Sequence, residues 1–378
     1  MSEFDLEEIT DRAGTGAPNF THGFNINGSD SGISAFSHTV GATAPSSPSN
    51  DDTWWNTDND SYHVYINGGW KAWLGDTYAL FSWGGDRGIV FSAGSSYNDI
   101  LYFDITGSGG GSANFGDMTA VRSTPSAGSS GSRVVMGGGY DGTITGGRSP
   151  IIDYITPSST GNATDFGDLV AGRNALQATS NGTRCIFGGG YTYGQGIGHA
   201  NWTTLMDYIT IATTGNATTF GNMTALAYNL GGTGGSDTTR GLFVGGINPN
   251  YKEIDYVAFD TPANAGDFGD LILAVDRNSS CSDATRTISF GGAGSHTPAF
   301  QNIEYLTTQT LGNGTDFGDL SGNGNHSSNG SMSNGTIAIA QTGIHMDKIT
   351  IQTTGNATDF GDLLESKTGN SASSGNPS

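Results

Sequence analysis

The sequence predicts an all-β chain dominated by a six-bladed β-propeller, and three observations carry that prediction. The tripeptide Phe-Gly-Asp, or a close variant, returns six times, with Phe at 115, 166, 220, 268, 317 and 360. The intervals are 51, 54, 48, 49 and 43 residues, each long enough for four short strands. Gly supplies 62 of 378 residues, which suits tight turns, and no segment sustains an apolar 3.6-residue period. Four strands cannot bury both faces alone, so units of this size stack around an axis and close on themselves.

Residues 1–43 lack the repeat. The stretch DRAGTGAPNFTHGFNING (11–28) is rich in Gly, Pro and Asn and reads as an extended segment that orders against a partner. Residues 44–75 form a Pro/Ser linker followed by a Trp-rich β-hairpin. In it, DTWW leads through NTDND to the alternating SYHVYI, then NGG and WKAW. An NG pair between alternating strands is a strong hairpin signal. Trp54, Trp55, Trp70 and Trp73 are expected to supply its small aromatic core.

Residues 76–378 carry the repeats. In the third copy the strands read ALQATS, RCIFGG, LMDYITIA and TTFGNM. Thirteen residues before the last five Phe anchors stands an acid: Asp153, Asp207, Asp255, Glu304 and Asp347. Tyr154, Tyr208, Tyr256 and Tyr305 follow four of these. Arg87, Arg133, Arg184, Arg240 and Arg286 share one repeat position and are expected to pair with repeat acids, holding blades in register. Two segments compete for the innermost strand of blade one, YALFSWGGDR (78–87) and SKTGNSASSGN (366–376).

The near-identical STGNATDFGDL (159–169) and TTGNATDFGDL (353–363) have two readings. Asp165 and Asp168 with their equivalents have the oxygen chemistry of a calcium site. The third copy, however, carries Thr219 and Asn222 at those positions, and the first has Asn114. Loss of charge cripples a metal site and leaves a turn intact. The segment is therefore expected to be a structural hinge, with Gly-Asn as the turn, Phe between blades and the final Asp accepting backbone N–H bonds.

The double glycine after an apolar strand, followed by an aromatic on the next, resembles Kelch-like propellers over residues 76–378. The usual Kelch Trp near the blade end is missing. The Pro-rich lead, NDDTWW, SYHVYI and GGWKAW resemble a short module of tailed-phage fibre and other virion proteins. RAGTGAPNF is similar to the N-termini of phage structural proteins, and IDYITIATTGNATDFGDL is similar to repeats of phage tail proteins. These resemblances imply a virion protein whose N-terminal segment binds other virion proteins. They imply a protein made in the host cytoplasm and released with the particle.

Acids outnumber bases 35 to 14, for a net charge of −21, which argues against nucleic acid as a ligand. The acidic opening MSEFDLEEITDRAG has no apolar h-region and no run of 18 apolar residues occurs, so neither a signal peptide nor membrane insertion is expected. Cys185 and Cys281 sit at different places in different repeats, so no disulfide is expected. The sequons at Asn162, Asn201, Asn216, Asn222 and Asn356 read as turn chemistry rather than glycan sites. The seven histidines show no ligand spacing, so neither a metal nor another cofactor is expected. Catalysis is not expected either.

Binding is expected on the connections between second and third strands, which vary most. Together they would present Tyr140, Arg148, Tyr191, Tyr193, His199, Trp202, Tyr251, His296 and Phe300 from one face. Aromatics flanked by hydroxyls and amides suit sugar rings, although each ring has the competing role of packing its own loop. The sequence thus points to an adhesin for a host-surface glycan or protein. A purely architectural neck, baseplate or capsid-decorating role is the first alternative, and a glycan-processing enzyme the second. A homo-oligomer is left open, because no heptad or triple-stranded pattern specifies one.

Overall fold

The computed structural model describes residues 38–41, 43–48, 52–56, 61–66, 69–73, 84–91, 98–107, 109, 111–193, 202–225, 233–246, 252–293, 301–322, 330–364 and 371–377. The chain divides into two compact units, Met1–Tyr78 and Ala79–Ser378. Among the described residues there is no helix.

The first unit holds four strands, His38–Gly41, Thr53–Asn56, Ser61–Ile66 and Gly69–Trp73, in sequential order. The last three form the antiparallel meander expected of the hairpin region. The first lies parallel to the second, so a strand from the supposedly extended 1–43 segment joins this sheet. Trp54 is its anchor: buried, it donates from Nε1 to Gly41 O at 2.8 Å and meets Trp70 edge-on at 5.7 Å.

The second unit is a six-bladed β-propeller, with six four-stranded antiparallel sheets among the described residues. Blade two runs Ser126–Ser129, Val134–Gly137, Ile151–Ile155 and Thr164–Asp168 from axis to rim. Blades three to six follow from the innermost strands Gln177–Ser180, Gly235–Ser236, Ser279–Ser282 and Gly330–Ser333. Blade one takes its innermost strand from Ser371–Gly375, paired with Arg87–Phe91, followed by Asp99–Asp104 and Ala113–Asp117. The ring is therefore closed by the later of the two competing segments.

Each core cluster is shared by consecutive blades. Phe115 of blade one packs with Ile89, Phe91 and Ile100 of its own blade and Met136 and Ile155 of the next. Phe166, Phe220, Phe268 and Phe317 repeat this role, and Phe360 packs across the junction back to blade one with Phe103 and Ile105. The second strands are buried along nearly their whole length because both their faces meet another blade.

The GNATDFGDL segment is the clamp between blades. The Gly-Asn turn of one blade lies on the outermost strand of the blade before it. Gly215 N donates to Phe166 O at 2.7 Å, Ala217 N to Asp168 O at 2.8 Å, and Asp168 N to Asn216 Oδ1 at 3.0 Å. The same Asn bond recurs from Asp117 to Asn162, Asn222 to Asn264, Asp270 to Asn313 and Asp319 to Asn356. Gly167, at φ 144°, sits on a β-bulge so close to this turn that a Cβ would stand 2.5 Å from Gly215 backbone. The hinge expectation holds with one correction: the final Asp works through its main chain, while the Asp165 and Asp168 side chains are exposed.

The repeat arginines correct a second expectation. They hold blades together without repeat acids. Arg133 stands over Tyr154, 4.3 Å from the ring centroid, and donates to Ile211 O of blade three at 2.8 Å. Arg87, Arg184, Arg240 and Arg286 likewise stand over Tyr102, Tyr208, Tyr256 and Tyr305, and donate to Pro157, Phe259, Thr308 and Ile351 carbonyls. The acids instead reach back to the preceding blade. Asp255 accepts from Thr224 N and Oγ1, and Glu304 from Ile272 N and Leu273 N. Two of them gain a buried partner the repeat does not announce: Arg122 Nη2 meets Asp153 at 2.7 Å, and Arg173 Nη2 meets Asp207 at 2.8 Å. All four side chains are fully buried, and burial pushes Arg173 down from its ordinary pKa.

Serines stitch the axis. Ser180, Ser236, Ser282, Ser333 and Ser374 each bond through Oγ to the backbone of the preceding blade's innermost strand: Ser129 N, Ser180 O, Ser236 N, Ser282 O and Ser333 O. The cavity left there is only about 50 Å³, against the roughly 300 Å³ at which ligand pockets begin. Cys185 and Cys281 are free and buried.

Candidate ligand-binding site

The axis is filled, and the connecting loops lie on the two faces of the propeller. In a four-stranded antiparallel blade, the connection between second and third strands shares its face with the link to the next blade. Ser123, in the link from blade one, exchanges backbone bonds with Tyr140 in the second-to-third connection of blade two: Tyr140 N to Ser123 O at 2.6 Å and the reverse at 2.9 Å. Asn174 and Tyr191 make the same pair one blade on, at 2.9 and 3.2 Å. These bonds fix the bases of both loops to the scaffold.

The blade-two loop is a tight lobe. Asp141 N donates to Gly147 O at 3.0 Å, and Asp141 Oδ1 accepts from Thr143 N and Oγ1 at 2.8 and 2.6 Å. This Asx-type turn brings Tyr140 opposite Arg148. Gly146 and Gly147 follow with φ of 81° and 69°. A Cβ on Gly146 would fall 2.2 Å from Tyr193 Cγ, so the ring of Tyr193 rests directly on that glycine.

Four of the nine expected residues therefore meet across blades two and three. The Arg148 guanidinium lies 4.4 Å from the centroid of Tyr191 and 6.0 Å from that of Tyr140. Its Nη1 donates to Gly146 O, and its Nε is buried without an acceptor. Tyr140 is 42% exposed and Tyr193 61%, so each presents ring surface to solvent. Trp202 is half-buried and pairs through its backbone with Tyr191, at the base rather than the tip of its loop. His199, Tyr251, His296 and Phe300 fall outside the described residues.

The glycine seat is not announced by the sequence. Gly146–Gly147 looks like one more turn pair among 62 glycines. The available signal was a second Gly-Gly within ten residues of the repeat's own. Among the described residues, no three His, Cys, Asp or Glu side chains are grouped as metal ligands. No protein-family model matches this chain, nor does any curated protein.

Proposed function

We propose that this chain is a tailed-phage virion protein, an adhesin on the tail or tail fibre whose propeller recognises a saccharide on the host surface. The observation that carries the reading is the cluster of Tyr140, Arg148, Tyr191 and Tyr193. The exposed rings of Tyr140 and Tyr193 and the half-buried ring of Tyr191, grouped about a guanidinium, suit the C–H faces and hydroxyls of a sugar. The six-fold scaffold supports it, because loops on a rigid ring present side chains at little cost in ordering.

The N-terminal unit supplies the attachment to other virion proteins in this reading. The virion assignment rests on the resemblance of DTWW, SYHVYI and the repeat segments to phage structural proteins. The work proposed is binding without chemistry.

The test is adhesion of the purified full chain to a panel of bacterial strains, before and after periodate oxidation of surface sugars. Binding that periodate abolishes is the expected result. Absence of binding from a folded sample on every strain would favour an architectural virion component. Release of reducing sugars from the cells would favour a glycan-processing enzyme.

A further inference from the structure

We infer that the Tyr140–Arg148–Tyr191–Tyr193 cluster takes the carboxylate of an acidic sugar, such as a hexuronate or sialate residue, on Arg148 and its ring on Tyr193. The inference rests on the saccharide reading above and narrows it to one chemical class.

Arg148 stands apart from the other described arginines. Arg87, Arg133, Arg184, Arg240 and Arg286 spend their donors on carbonyls of the next blade. Arg122, Arg173 and Arg277 each face an aspartate. Arg148 does neither: among the described residues it makes no ion pair, and its one protein acceptor is Gly146 O in its own loop. Neither Nε nor Nη2 has an acceptor among those residues. A guanidinium beside two rings, with Nη2 to spare, is prepared for a charge-assisted bond to an oxyanion.

The electrostatic layout favours the same class. The net charge is −21, yet the acids of the TDFGD segments, Asp165, Asp168, Asp316, Asp319, Asp359 and Asp362, are exposed on the outermost strands. Asp168 ends its strand opposite Ile151, near the base of the Arg148 loop, and makes no ion pair with Arg148 among the described residues. The acid nearest in sequence, Asp153, is buried and paired with Arg122, and Asp141 is buried and turned onto Thr143. The positive charge of Arg148 therefore lacks a partner in its loop.

Gly146 joins the two halves of the site. Its carbonyl holds Arg148 and its Cα side carries Tyr193. Tyr193 and the guanidinium thus share one glycine as their seat, an arrangement that suits a pyranose face and its own carboxylate.

The test is calorimetric titration of the full chain with oligogalacturonate, oligomannuronate and sialyllactose, each against its carboxyl-reduced form, and with neutral oligosaccharides of equal length. Carboxyl reduction is expected to weaken binding about tenfold to a hundredfold, the range of a charge-assisted bond. Arg148→Met should erase the difference between acid and reduced forms, Arg148→Lys should restore part of it, and Tyr193→Ala should weaken both alike. Equal binding of acid and reduced forms by the unaltered protein would overturn the carboxylate assignment and leave the saccharide reading standing. No binding to any member of the panel by folded protein would overturn both.

Discussion

Arg133 and Tyr154 form a stacked pair within blade two, 4.3 Å from guanidinium to ring centroid, and the pair is what carries Arg133 to blade three. Tyr154 in turn meets Phe166 edge-on at 6.1 Å, so cation, ring and ring are layered from surface to core. Arg133→Ala removes the stacking and the bond to Ile211 O together. The expected cost is about 1–3 kcal/mol, seen as a fall of several degrees in the thermal midpoint. Arg133→Lys should recover little, since an ammonium lacks the planar fork. An unchanged midpoint for the alanine variant would remove this layer from the account.

The clamp at the rim separates a side-chain effect from a backbone effect. Asn216→Ala deletes one acceptor, that of Asp168 N at 3.0 Å, and should cost about 1 kcal/mol. Gly167→Ala drives a Cβ into the backbone of Gly215 at a positive φ, and should cost several times more. Denaturant unfolding of both variants orders them. Equal costs would mean that the two blades separate freely at this point.

Arg173 and Asp207 are an ion pair with both side chains at 0% exposure. Arg173→Met is expected to destabilise by about 3–5 kcal/mol, because it strands a buried carboxylate. Replacing both, as Arg173→Met with Asp207→Leu, should return part of that loss. A double variant no better than the single would show that the bonds of Arg173 to the Gly189 and Leu205 carbonyls matter more than its charge.

Burial raises the Asp255 carboxyl above its ordinary pKa, against the opposing bonds from Thr224, and the neighbouring Asp267 charge adds to the rise. The folded chain then keeps this proton where the unfolded chain has lost it. Across that window, from the ordinary aspartate value up to the raised one, the contribution to stability falls as pH rises. The thermal midpoint of the natural protein, relative to Asp255→Asn, should therefore improve as pH is lowered from about 7 to about 4. A relative loss on acidification would contradict the sign.

The blades were legible because their signal is repeated. Phe at six positions, with acids thirteen residues before five of them, cannot arise from local propensity, and the strands fell where the alternation put them. The direction of cross-blade contacts was not legible. A repeat position such as Arg133 fixes its own blade, but its target Ile211 lies 78 residues on, in a contact set by the rotation between blades. The same limit hid Arg122 and Arg173, which occur in only two repeats and look like isolated loop charges. At the candidate site, Tyr140 and Tyr191 could be read because they follow the repeat glycines. The seat beneath Tyr193 could not, since a ring resting on one particular glycine leaves no trace in composition.

Because Ser371–Gly375 supplies the innermost strand of blade one, the ring has a direction in time as well as in space. The other strands of that blade end at Asp117, about 250 residues before the one that completes them. At roughly 5–20 residues per second of synthesis, blade one waits on the order of ten to fifty seconds with its inner edge unpaired. Through that interval Ile89, Val90 and Phe91 depend on whatever shields a nascent chain. The last strand is short and serine-rich, with little apolar surface of its own to drive docking. Closure is therefore a slow, long-range step, and the stage at which a crowded cell most readily diverts this chain into aggregates.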